Sequence, residues 1–144
     1  MATMFEHVGG EATLRKMAEH FHEAVLGDEL LGKLFRYGSS HHVDHLTAFL
    51  AEMLGGPRRY SEELGGFESI YRAHQGLGIS DEQRDRFVEL MLESADAVGL
   101  PADERFRTAF TRQIARAAGF STRVSRGELD HFSAPYPELV AWEW

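Results

Sequence analysis

The chain has 144 residues, 43% of them hydrophobic and 26% charged, a balance that fits one globular domain and excludes a disordered or membrane-spanning chain. A formal net charge of -8 with no Lys/Arg cluster repels phosphate backbones and anionic lipid, so neither nucleic acid nor a membrane surface is an expected partner. Cysteine is absent, which removes thiol catalysis, disulfides and cysteine-based metal sites and leaves histidine or oxygen ligands for any metal. The opening stretch MATMFEHVGGE carries acid where a secretory signal needs base, so a cytoplasmic location is expected.

The first helix is expected between Gly10 and Gly27, where Leu14, Met17, Ala18, Phe21 and Val25 recur at helical spacing. A shorter helical piece over 29–36 carries Leu30, Leu31, Leu34 and Phe35, and YGSS after it supplies a turn with a capping serine. From His41 to Leu54 the apolar stripe is Val43, Leu46, Leu50, Met53 and Leu54, and Gly55, Gly56 and Pro57 end it. Residues 57–66 show little periodicity and read as a loop. FESIYRAHQGLG reads as a short helix with His74 in its last turn, running into glycines.

Ser80 and Gln83 form a capping box that opens a long helix through Val98. Pro101 suits the first turn of a final helix, whose Phe106, Phe110, Ile114 and Ala117 repeat until Gly119 closes it. No segment alternates like a strand, so the fold class is all-α, with one domain over 1–119. Residues 120–144 form a C-terminal extension, broken by Pro135 and Pro137 yet rich in aromatics, that is expected to be partly docked or flexible.

Three histidines in five positions, HHVDH at 41–45, precede the apolar stripe of the third helical segment. His41 and His45 stand at i, i+4 and His42 and His45 at i, i+3, so either pair shares a helix face. The acid of a hydrolytic zinc signature is missing, because Asp44 sits off that face. His74 alters the balance between a solvated helix start and a site. Histidines on two separated helices, no cysteine and ten phenylalanines suit a flat apolar cofactor held between helices, and haem meets that description.

Several pieces occur together: Gly9-Gly10 at the first helix junction, HFHEAVLGDELLGKLF, HLTAFLAEMLGGP, HQGLGIS, and a long helix followed by GLP. Jointly they resemble the truncated globins over residues 4–119. The resemblance implies a truncated globin fold, a two-over-two helical sandwich around haem b. It implies His74 as the proximal iron ligand and Phe35 as the ring wedged against the haem plane. His22, His42, His45, Leu46 and Phe87 would line the distal face, with His42 as first hydrogen-bond donor and His22 as second. His45 would be the candidate internal ligand to the metal. The family usually has tyrosine where His22 stands, and its second group has tryptophan where Phe87 stands. HQGLGI resembles the first group, whereas GGPRRYSE and the longer spacing to His74 resemble the second.

The same resemblance implies binding or transport of O2, with NO and CO as further ligands, and NO dioxygenation as one activity. No flavin or nicotinamide motif is present, so an unknown external reductase would have to restore the iron. Two alternatives are peroxidase-like oxidation, in which a distal histidine is the general base for peroxide, and ligand or redox sensing by a six-coordinate bis-histidine haem. Arg72, two residues before His74, is the expected partner of a haem propionate, with Tyr60 and Arg59 as alternatives. Whether two copies form a homodimer stays open.

Overall fold

The computed structural model describes residues 2–35 and 41–144. Among these, every regular element is a helix: α1 (Met4–His7), α2 (Glu11–Leu26), α3 (Gly32–Phe35), α4 (His42–Met53), α5 (Arg59–Glu63), α6 (Gly66–His74), α7 (Asp81–Ala97) and α8 (Glu104–Ser125). None of them is long and apolar enough to cross a membrane. The apolar faces legible in the sequence dictate how these helices meet. Leu14, Met17, Phe21 and Val25 give α2 one buried face, which packs on α4 through Leu50 and Leu54 and on α7 through Leu90, Met91 and Ala95. The α7 helix in turn covers Phe106, Phe110 and Ile114 of α8. Two helix pairs, α2/α4 and α7/α8, are thus stacked as a two-over-two sandwich. Burying each of these large side chains contributes roughly 1.5–3 kcal/mol.

The expected capping box at Ser80 is present: the Ser80 hydroxyl accepts from the Gln83 N–H at 3.1 Å, and the Gln83 side chain accepts from the Ser80 N–H at 2.9 Å. Elsewhere the boundaries differ from expectation. Pro101 precedes the last helix, and Asp103 is its N-cap, with its carboxylate accepting from the Phe106 N–H. That helix also runs straight through Gly119 to Ser125. Its end is fixed by the loop after α6, because Ser125 accepts two N–H bonds, from Gly78 at its carbonyl and from Ile79 at its hydroxyl.

The stretch expected as a loop contains α5. Its N-terminus is capped from a distance by Glu52, a carboxylate 3% exposed that accepts both the N–H and the hydroxyl of Ser61. The α3 segment starts at Gly32, later than the expected 29, and Arg36 and the YGSS turn lie outside the described residues.

The four-residue α1 was not legible in the apolar spacing. It seals the far end of α4, where the Phe5 N–H donates to the Leu54 carbonyl at 2.8 Å. Gly56 is glycine because a Cβ there would stand 2.5 Å from the Phe5 ring.

Beyond α8 the chain has no regular structure but touches the body at three places. Phe132 and Tyr136 meet Phe67 and Tyr71 on α6. Trp142 lies edge-on to Phe49 on α4, and its N–H donates to the Met53 carbonyl at 2.7 Å. Trp144 packs on His7 and Phe106, with the Arg105 guanidinium 4.1 Å from its ring centre.

Candidate functional site

A cavity of about 330 Å³ opens between α2, α4, α6, α7 and α8. Helical spacing puts its wall together. Phe21 and His22 come from α2, His42, His45, Leu46 and Phe49 from one face of α4, Ile70 and His74 from α6, Phe87 from α7, and Ala118 and Thr122 from α8. Phe35, Tyr60, Leu34, Leu77 and Ile79 complete it from the connections and short helices. Of the residues expected at the site, His22, Phe35, His42, His45, Leu46, Tyr60, His74 and Phe87 all line this cavity.

Arg72 does not line it. Its side chain is 64% exposed, and its guanidinium is held by Glu68 one turn back and by the Tyr136 hydroxyl. Arg59 is likewise engaged, with Asp44. Among the described residues, the arginine that does reach the cavity wall is Arg84, which the sequence did not single out.

His74 ends α6, and its position there is decided by its own helix. The ring Nδ1–H donates to the Ile70 carbonyl at 2.7 Å, which leaves Nε2 as the nitrogen available to a ligand. This bond back to its own helix orients the ring. Burial pushes the His74 pKa down, which outweighs the Ile70 bond and keeps the imidazole neutral at pH 7.

Three further imidazoles line the cavity. His42 sits among rings, with its centre 5.5 Å from His22 and 5.4 Å from Phe35, both near-perpendicular. Burial first, then the neighbouring His22 and His45, push its pKa down, so His42 is neutral at pH 7 and presents one N–H donor. His45 is flanked by His41, stacked at 6.1 Å, and by the edge of Tyr60 at 6.3 Å. His41 itself is exposed. The Tyr60 hydroxyl donates to Ser69 on α6 at 3.3 Å, which ties α5 to the helix bearing His74. Of the remaining histidines, His7 lies 2.7 Å from an Asp103 carboxylate oxygen and His20 2.9 Å from the Ser94 hydroxyl, and neither lines the cavity.

Asp44, set aside in the sequence as off the histidine face, is the anchor of that face. Its carboxylate accepts from Arg15 of α2 at 3.1 Å and from both terminal nitrogens of Arg59 at 2.9 and 3.0 Å. These guanidinium bonds hold its pKa at about 2, against an ordinary 3.8. The first turn of α4 is thereby pinned to α2 and α5, with His42 and His45 on either side of the pin. Among the described residues no group of three histidines or carboxylates is arranged to hold a metal ion by itself. The arrangement is one neutral imidazole from α6 on one side of an apolar cavity, with three imidazoles from α2 and α4 lining the rest.

Comparison with known proteins agrees with this architecture. The family model described as bacterial-like globin matches residues 3–119. The chain is 30% identical over 96 residues to the group 2 truncated haemoglobin of Bacillus subtilis, covering 67% of this chain and 72% of that one. It is 24% identical over 105 residues to the group 1 truncated haemoglobin of a Nostoc species, covering 72% of this chain and 85% of that one. Among solved structures, the haemoglobin of the thermophilic phototroph Chloroflexus aurantiacus superposes with a TM-score of 0.75 at 32% identity, over 84% of this chain and 98% of that one. Similarity to both groups mirrors the mixed motifs of the sequence. With that family model covering most of its length and the sandwich shared with solved relatives, the chain belongs to the bacterial-like globins as a truncated haemoglobin.

Proposed function

We propose that the cavity holds haem b, with the His74 Nε2 as its proximal ligand, and that the protein binds O2 and related diatomic gases on the opposite side. The observation that carries this reading is the His74–Ile70 bond at the edge of an apolar cavity: a half-buried, neutral imidazole with one nitrogen tied back and the other turned to the cavity side of that bond. The donor set fits haem, since the iron takes a neutral imidazole and the macrocycle takes aromatic and aliphatic walls such as Phe35, Phe87, Leu46 and Ile70. When bound, haem supplies an iron centre that takes a diatomic ligand and supports either its reversible release or NO dioxygenation with an external reductase.

The residues of the chain then decide how long a ligand stays. His42, neutral and flanked by His22 and Phe35, donates its N–H to the outer atom of the ligand, and such a bond to a partly charged acceptor is worth about 1.5–3 kcal/mol. His22 is the second donor on the same wall. Phe35 and Phe87 meet the Phe21 ring edge to face at 6.2 and 5.2 Å, which joins them into one apolar wall. Arg84, on the wall near Gln83, is the cation best placed to meet a propionate; its present partners are Asp81 and Asp85.

A second reading is favoured by the position of His45, which lines the same cavity one turn beyond His42. Swung away from Tyr60, it would be a second imidazole to hold the haem, and an external gas would have to compete with it. Its apparent affinity then falls by the fraction of molecules whose site is open. One experiment separates the readings: absorption spectra of the ferric and reduced haem-loaded protein, with and without CO. A five-coordinate reduced spectrum supports the first reading, and a six-coordinate one lost in His45→Ala supports the second. His74→Ala that retains haem with the parental ligation signature refutes both.

A further inference from the structure

Trp142 stands one aromatic ring away from the cavity. Phe49 is part of the cavity wall and meets the Trp142 ring edge-on at 6.1 Å; it also meets Tyr60, another wall residue, at 5.6 Å. The main chain at Trp142 is held there by its backbone N–H, which donates to the Met53 carbonyl, while part of the residue's surface remains in solvent. The other aromatics of the tail contact rings outside the wall. Trp144 meets His7 and Phe106, and Tyr136 meets Phe67 and Tyr71.

We propose that Trp142 is an electron-entry site at the surface, through which an external aromatic amine delivers electrons, by way of Phe49, to an oxidant reduced in the cavity. The proposal rests on the haem reading above and takes hydrogen peroxide as the oxidant. Reducing one peroxide to two waters consumes two electrons and two protons. In each of two turns Trp142 gives one electron inward and recovers it from one cationic aromatic amine, which leaves as a radical carrying one further positive charge; the two protons come from two water molecules, which leave as hydroxide. One peroxide is therefore matched by two amines, each oxidised by one electron.

Chemistry favours Trp142 over Tyr60 as the residue where the oxidation rests. A phenol that loses an electron must also shed its proton, and the buried Tyr60 hydroxyl donates to a serine hydroxyl, which is no base. Burial and the Glu52 carboxylate also push the Tyr60 pKa up, so the proton is held more firmly. An indole tolerates loss of the electron alone, and at Trp142 the resulting cation borders water rather than a buried site. Charge selects the donor. Glu138 and Glu143 lie close along the chain, and the net charge is -8, so a cationic amine is drawn in and a phenolate repelled.

The test treats haem-loaded protein with limiting peroxide and no donor, then maps oxygen incorporation by peptide mass spectrometry. Oxidation is expected at Trp142 well above Trp144, absent from haem-free protein, and suppressed when a cationic aromatic amine is supplied. In Phe49→Leu, compared at equal haem content, Trp142 oxidation is expected to fall to the haem-free level. Equal oxidation of both tryptophans, oxidation centred on Tyr60, or an undiminished signal in Phe49→Leu overturns the proposal. A protein that takes up no haem overturns the cofactor reading as well, and the Soret band distinguishes that case.

Discussion

Replacing Asp44 with asparagine removes the charge that pins the distal helix while keeping its shape. Held at about 2 against an ordinary 3.8, the Asp44 carboxylate favours the folded chain by at most about 2.4 kcal/mol through proton linkage. Its side chain is 40% exposed, so solvent screening reduces this to about 1 kcal/mol. A depressed carboxylate pKa stabilises above the unfolded value and loses that contribution as pH falls through the folded value. The Asp44→Asn deficit should therefore be full at pH 7, shrink as pH falls from 3.8 towards 2, and be smaller in high salt. Urea titrations across that range, or a loss of about 3 °C in Tm at pH 7, measure it. A deficit that persists undiminished at the acid end would show that packing, rather than the two guanidinium pairs, is what Asp44 contributes.

His42→Leu removes the first N–H donor and should speed oxygen dissociation from haem-loaded protein about 10- to 150-fold, read by stopped-flow replacement with CO. An unchanged rate would transfer the role to His22. Glu52→Ala strands the Ser61 N–H and hydroxyl inside the fold and should cost about 1–3 kcal/mol in urea unfolding; a cost near zero would mean that water replaces the carboxylate there. Gly56→Ala drives a methyl group against the Phe5 ring and to within 2.9 Å of the Ala51 carbonyl, and should cost about 1–3 kcal/mol. Parental stability in that variant would show that α1 can lift away without penalty.

What the sequence made legible was local. The Ser80–Gln83 box, the apolar face of α2 and the place of His74 at the end of α6 all depend on residues within a turn or two of one another, and the structure has them as expected. The misplaced boundaries depend on partners far along the chain. Gly119 has the look of a helix stop, yet the buried face of α8 continues through Thr122 and Ser125, whose end is closed by Gly78 and Ile79. The short α5 exists because a carboxylate nine residues earlier supplies its cap.

The same distinction runs through the site. The spacing of His42, His45 and Leu46 places them on one face, and Phe49, at i+3 from Leu46, joins them by the same rule. Asp44 was judged by its own helix alone, whereas its partners come from α2 and α5. Arg72 stands outside the cavity lining with a local partner instead: Glu68, four residues back, holds its guanidinium.

The tail after α8 makes no ladder or helix of its own, so its attachment is only as durable as its separate footholds. One of those footholds is a backbone amide, that of Trp142, closed onto the end of α4. Among the described residues past Glu128 it is the tail amide that donates to the body, so this proton serves as a gauge. Its replacement by deuterium reports how readily the chain around Trp142 lifts from the end of α4.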